Sequence, residues 1–439
     1  MVKSCQKPVK IDGVGRTILL VLIYFLFLYS FQVPGFSFGT VTPVLFLLVI
    51  YIVFAYVGGA ITRRKSRTSK MIRSYLWWNV FLLVYVFGLL QLFGRGDGNS
   101  PVKDYIQMLI ILPLFYVSGN IIFRDIKDLM KVLYIGVIIQ TIVILAALFI
   151  PSLTTALFLL IPEGSFNTDY FGGIDMITQY GYHIGLGVFT SGGCLKMAIG
   201  QIGAFYYLVK SRGVRLCYHL FVFLLITIAT SVVARTGLLI SIIGLLVVFL
   251  VKKKQDVHRA FSYVFLVLLL VFITYLIITT FFSASFLGDI FQRFVDTADR
   301  GIHDTYFKGY TGEVGDNAIP PLCMETLIGL GITYGVSGAG ITTITDGGFL
   351  RNYSAMGLIV ALINYSIIIS FFIRQYKSNK SYVNKGAILF LFLIMLIGEF
   401  KEYYIYSFSS MCFAFLIFSL IEKEEAPKRF IFFRSANLV

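Results

Sequence analysis

Twelve apolar runs, each long enough to cross a bilayer, divide this chain, and the segments joining them alternate between basic and charge-poor. The runs lie near residues 17–33, 43–61, 74–93, 104–123, 132–151, 184–209, 216–231, 236–251, 260–281, 353–373, 386–400 and 404–421. A helix needs about 17–25 apolar residues to span the hydrocarbon core. Lipid offers no partner for backbone polar groups, so runs of this kind must close their hydrogen bonds within themselves. The predicted fold class is therefore an all-α polytopic membrane protein of about 12 transmembrane helices. Residues 1–439 form a single integral membrane domain.

The joints set the orientation. Segments 1–16, 62–73, 124–131, 210–215, 252–259, 374–385 and 422–439 hold 28 of the 37 Lys and Arg residues; the alternate segments hold 8, and Lys196 lies within a run. Basic residues stay on the cytoplasmic side. Both termini are thus predicted to be cytoplasmic, with a large periplasmic loop at 282–352 between helices 9 and 10. Lys3, Lys7, Lys10 and Arg16 precede a first run too long for a cleavable leader, which reads as an uncleaved first helix. The net charge of +15 is then a topology signal and a contact with anionic lipid, not a nucleic-acid footprint. Composition agrees: 58% of residues are hydrophobic, 13% are charged, and the mean hydropathy is +0.85. Cys5, Cys194, Cys217, Cys323 and Cys412 have no paired spacing, so neither a disulfide framework nor a zinc site is expected.

Chemistry-bearing residues gather on the predicted periplasmic side. Lys196, in GVFTSGGCLKMAIGQIG, lies within the sixth run, where charge is expensive and faces either a watery cavity or the interface. Arg235, in TSVVARTGLL, sits at a tight turn between two apolar runs, against the charge trend. A guanidinium there suits phosphate oxygens, which it holds in a fork. Before the tenth run, GITTITDGGFLRNYSAMGLI carries Asp346 and Arg351. The carboxylate suits a general base or a turn and cap; the Arg suits phosphate. Glu399, Lys401 and Glu402 form a charged joint whose plainest reading is a solvated turn. His183 and His303 are the two histidines on this side. The opening of the long loop, FLGDIFQRFVDTADR, carries Arg293 and has helical apolar spacing at Ile290, Phe291, Phe294 and Val295, as an interfacial helix would. The glycine-rich GLGITYGVSGAG is a weak phosphate cradle. No P-loop, zinc-protease or Asp-x-Asp pattern occurs.

Four of these segments resemble the O-antigen polymerase (Wzy) family, relatives of the O-antigen ligases. HIGLGVFTSGG is similar to the family's Arg-x-x-x-Gly-x-Phe stretch, ARTGLLISIIGLL to its Ser-Arg-Thr/Gly helix start, TDGGFLRNYSAMGLI to the segment that opens the helix after the large loop, and IGEFKEYYIYS to a late Gly-Asp/Glu-x-Lys-Glu joint. Two positions depart. His183 stands for the Arg of the first pattern, and Asp346 for the His that ligases place before the tenth helix.

The resemblance implies a metal-independent glycosyltransferase without cofactors, in the bacterial inner membrane and active at the periplasmic face. It would transfer a growing glycan from undecaprenyl diphosphate onto an incoming lipid-linked repeat unit. Asp346, Arg235 and Arg351 are the expected catalytic residues; Lys196, His183, Arg293, His303, Glu399 and Lys401 are the expected substrate-binding ones. Expected partners are the undecaprenyl-diphosphate-linked oligosaccharide, membrane lipids, and a chain-length regulator and flippase of the same pathway. A lipid-linked oligosaccharide flippase and an O-antigen ligase are the alternatives. The polar groups sit on one side and no repeat is visible, which disfavours a flippase.

Overall fold

The computed structural model describes residues 13–31, 39–57, 66–158, 160, 185–186, 190–253, 321–343, 347–406 and 408–425. Eleven of the twelve apolar runs fall on described helices: α1 (Gly13–Tyr29), α2 (Val41–Val57), α3 (Arg67–Phe93), α4 (Val102–Ile122), α5 (Ile126–Phe149), α7 (Thr190–Lys210), α8 (Val214–Val233), α9 (Arg235–Lys253), α12 (Leu358–Ser378), α13 (Tyr382–Lys401) and α14 (Phe408–Glu425). The run at 260–281 lies outside the described residues. Three shorter helices complete the set: α6 (Pro151–Phe158), α10 (Met324–Ile328) and α11 (Gly348–Met356). Among the described residues, six helices are long and apolar enough to cross a membrane: α3, α4, α5 as far as Ala147, α8, α12 and α13. The chain is an all-α membrane protein.

Two helices form the middle of the bundle. α7 packs on α1, α5, α8, α9, α13 and α14, and α14 packs on α3, α4, α5, α7 and α13. Apolar burial drives little association in lipid, so close van der Waals fit must do it. Small residues supply that fit. A Cβ added at Gly203 of α7 would lie 2.5 Å from the Tyr134 nitrogen and 2.6 Å from the Met130 carbonyl of α5; one at Gly200 would meet Val137 Cβ at 2.7 Å. Between α4 and α14, a Cβ at Gly119 would meet the Leu416 side chain at 2.5 Å. Aromatics fill the space beside them. Phe27 stacks on Phe115 with centroids 4.5 Å apart, and Phe413 meets Phe115 edge-on at 5.0 Å.

One end of the bundle, the basic face, collects Arg67, Asp128, Lys210 and the end of α14. There, adjacent residues of opposite charge serve opposite helix poles. Glu422 accepts from the Arg67 nitrogen (2.7 Å), the Thr68 nitrogen (3.0 Å) and the Thr68 hydroxyl (2.8 Å), which caps the start of α3. Lys423 donates to the carbonyls of Phe123 (2.9 Å) and Asn120 (3.4 Å), just past and within the end of α4. Both match the sign of the helix dipole. Arg16 and Asp128 pair at 3.1 Å and tie α1 to α5.

At the opposite face, the second part of the predicted 282–352 loop is folded onto the helices. Its glycine-rich run builds a short antiparallel ribbon, β1 (Gly335–Val336) with β2 (Thr342–Thr343). The ribbon lies on the α3–α4 turn: Asn99 donates to the Tyr334 carbonyl, and Thr333 donates back to Asn99. Gly338 passes so close to the Phe93 carbonyl that no side chain fits there. The run therefore serves backbone contact, not a phosphate cradle. Gly357 corrects the tenth helix. With φ 78° it ends α11 and opens α12, so residues 353–356 belong to a separate short helix and the long one begins at Leu358.

Candidate functional site

The polar centre of the opposite face is Glu399, near the end of α13. The sequence reads the Glu399–Glu402 joint as a solvated turn; the structure corrects this, because Glu399 has no exposed surface. Its carboxylate is fully engaged. Oε1 accepts from Asn352 Nδ2 of α11 (2.8 Å) and from the Tyr365 hydroxyl of α12 (2.7 Å). Oε2 accepts from the backbone nitrogens of Tyr404 (3.1 Å) and Ile405 (2.8 Å). Gly348 of α11 lies against the carboxylate, where an added Cβ would come within 2.5 Å of it. A buried carboxylate is tolerable only with partners of this number. Glu399 thus fixes how α11, α12 and the α13–α14 joint meet.

From this joint, hydrogen bonds lead into the middle of the bundle. The Tyr404 hydroxyl donates to the Leu195 carbonyl of α7 at 3.0 Å. One residue earlier, the buried Cys194 thiol donates to the Thr230 carbonyl of α8 at 3.1 Å, and a longer contact of 3.7 Å reaches the Ala234 carbonyl. Ala234 is the single extended residue between α8 and α9. The turn is tight because Gly237 sits where a Cβ would lie 2.5 Å from the Thr230 carbonyl. Arg235 opens α9 at this turn. The four segments singled out in the sequence therefore meet at one end of the fold: Ala234 and Arg235, then Cys194 and Leu195, then Tyr404 and Glu399, then Asn352.

Arg351 lies one residue before Asn352, half-buried, with its guanidinium 5.4 Å from the centre of the Tyr334 ring. It is within electrostatic reach of Asp104, in the first turn of α4. Lys401 ends α13 half-buried, and Lys196 lies half-buried on α7. His183, Arg293, His303 and Asp346 lie outside the described residues, and of Arg235 only the backbone is described.

Sequence reasoning passes over Asn352, Tyr365, Asp104 and a cluster of aromatics beside them. Tyr406 donates to Asn364 Oδ1 (2.8 Å), which also accepts from Trp78 Nε1 (2.9 Å). Tyr403 stacks on Tyr406 at 5.4 Å, and Tyr105 meets Tyr406 edge-on at 5.1 Å. Burial pushes the Tyr403 phenol well above its ordinary value, so it stays a neutral hydroxyl. These largely buried groups bond to one another and fix the joint, and the half-buried Arg351 beside them suits an anionic ligand. Comparison with protein-family models, with curated proteins and with solved structures gives no match to this chain.

Proposed function

We propose that this chain is an O-antigen polymerase of the Wzy type. It transfers the growing glycan from undecaprenyl diphosphate to a hydroxyl of the incoming lipid-linked repeat unit. The C–O bond between the anomeric carbon and the diphosphate breaks, the acceptor oxygen bonds to that carbon, and the acceptor proton goes to a base. The diphosphate leaves as an anion, so neither metal nor cofactor is required. Arg235 and Arg351 stabilise that developing charge, with Asp346 as base or orienting group. Lys196, His183, Arg293, His303 and Lys401 make up the surrounding substrate-binding set, and the buried Glu399 shapes it by fixing the joint between α11, α12 and α13. In this reading the protein has about 12 membrane-spanning helices in the bacterial inner membrane, cytoplasmic termini on the basic face, and its site at the periplasmic face.

One observation carries the reading. Four sequence segments, far apart in the chain, are joined by hydrogen bonds through Asn352, Glu399, Tyr404, Leu195, Cys194 and Ala234 at the end of the bundle away from most of the basic residues. Three of them lie within stretches that resemble the polymerase family, and Cys194 and Leu195 directly follow the fourth, HIGLGVFTSGG. A deletion strain tests it. Loss of a polymerase leaves lipopolysaccharide capped with one repeat unit, because translocation and ligation continue. Loss of all capped species on a gel would instead assign the chain to translocation or ligation.

A further inference from the structure

A second polar site lies deeper, between α1, α5 and α7. The packing of Gly200 sets its place. An added Cβ at Gly200 would lie 2.7 Å from Val137 of α5 and 3.0 Å from the Tyr29 hydroxyl of α1. Lys196 is one turn from Gly200 on the same face of α7. Gln140 and Thr141 are one turn from Val137 on α5, which runs antiparallel to α7, so they stand at the level of Lys196. Counted from Thr190, that level is about 9 Å into the bundle.

Three polar side-chain atoms on α1 and α5 here lack partners, as do nine others elsewhere among the described residues. The Tyr29 hydroxyl, the Thr141 hydroxyl and Gln140 Oε1 are buried and have no hydrogen-bond partner. Tyr29 and Gln140 have no exposed surface, and Thr141 has 3%. The orientation of Gln140 is fixed, because its amide nitrogen donates to the Leu186 carbonyl at 3.2 Å and a flip would set oxygen against oxygen. Its free atom can only accept. Lys196 joins no ion pair among the described residues. α1 and α7 carry no acidic residue, and the only one on α5, Asp128, lies three turns away at the basic face. A Cβ added at Gly192, one turn before Lys196 on α7, would meet no described atom within 4 Å.

One cation, two hydroxyls able to donate, and one group that only accepts describe a complementary ligand: an oxyanion with a hydroxyl next to it. We infer that Lys196, Tyr29, Thr141 and Gln140 form a binding site for a glycosyl phosphate. Lys196 and the two hydroxyls hold the phosphoryl oxygens, and Gln140 accepts from the adjacent sugar hydroxyl. The choice of a glycosyl phosphate rests on the function proposed above; the site itself does not. The same chemistry is offered by a lipid-borne sugar diphosphate and by a free sugar phosphate.

The test is binding to the full chain in lipid nanodiscs. Two probes separate the sources: a polyprenyl diphosphate carrying N-acetylglucosamine, and free N-acetylglucosamine 1-phosphate. Lys196→Met is expected to weaken binding at least about tenfold, and Tyr29→Phe or Thr141→Val about three- to tenfold, the range for charge-assisted against neutral hydrogen bonds. Without probe, the last two variants should melt at or above the wild-type temperature, since each removes a buried polar atom that has no partner. Binding of the lipid probe alone assigns the site to a membrane-borne sugar diphosphate; binding of both shows that the head group suffices. Failure of both probes to bind, wild-type affinity in Lys196→Met, or lowered melting of unliganded Tyr29→Phe and Thr141→Val would overturn the site. If binding needs Arg235 and not Lys196, this site falls and the polymerase reading stands. If Lys196-dependent binding persists while the deletion strain keeps a full O-antigen ladder, the polymerase reading falls and the site stands.

Discussion

Tyr404 donates its hydroxyl to the carbonyl of Leu195, a residue 209 positions earlier, while Glu399 accepts from the Tyr404 backbone nitrogen. The joint between the last two helices is thereby fastened to α7. The Leu195 carbonyl sits in the first turns of a helix and keeps its helical partner when the hydroxyl is lost. Tyr404→Phe should therefore cost only about 1 kcal/mol, the net worth of one neutral hydrogen bond. Thermal melting of the purified protein in detergent measures it. A loss above about 3 kcal/mol would mean the hydroxyl holds more than this one bond.

Glu399 should be far less forgiving. Four donors converge on it, two of them backbone nitrogens that cannot turn away. Glu399→Gln keeps the shape but points an amide at two donors, and about 2–3 kcal/mol should be lost. Glu399→Ala leaves the two backbone nitrogens unpaired and takes from Asn352 and Tyr365 the acceptor they share, at about 3–5 kcal/mol. Membrane abundance by immunoblot and melting temperature read both. Wild-type stability of Glu399→Ala would mean that water reaches the joint.

Arg235 and Arg351 test the chemistry. A guanidinium matches diphosphate oxygens as a fork, whereas an ammonium offers a point charge. Arg235→Lys should lose most activity although the charge is kept, and Arg235→Ala at least as much. Loss of a contact that strengthens as the leaving group departs costs about 3–4 kcal/mol, a few hundredfold in rate. O-antigen ladder length is the measurement, with abundance checked alongside. A full ladder from Arg235→Ala at normal abundance removes it from the site, and the same result for Arg351→Ala removes the diphosphate clamp.

The orientation rests on charge alone and can be read directly. In a variant without native cysteines, Ala339→Cys lies exposed on the ribbon and Arg212→Cys exposed on the basic face. An impermeant thiol reagent should label the first in intact cells and spare the second. The reverse pattern would invert the protein.

The helices were legible because hydropathy over twenty residues is a strong signal, and all eleven described runs coincide with helices. Their ends were not. Gly357 breaks the tenth run through a positive φ that apolar neighbours on both sides conceal. α7 carries Lys196, Gln201 and small residues such as Gly192, Gly193 and Gly200, so it reads as one of the less apolar runs, yet it is a hub of the bundle. The candidate site was legible by segment and not by residue. Glu399 looks solvated in sequence because Lys401 and Glu402 follow it. What buries it, Asn352 and Tyr365, lies 47 and 34 residues away and leaves no local trace.

The central place of α14 bears on how the protein is made. It is the last described helix in the chain, yet it packs against α3, α4, α5, α7 and α13. The earlier helices must enter the membrane with a slot between them that stays open until residues 408–425 are made. Chains emerge at about 5–20 residues per second, so that slot faces lipid or insertion machinery for many seconds. Glu422 and Lys423, which close the poles of α3 and α4, arrive later still. The native bundle is thus sealed by α14, and a chain that stops before it leaves the core unclosed rather than a smaller version of the same fold.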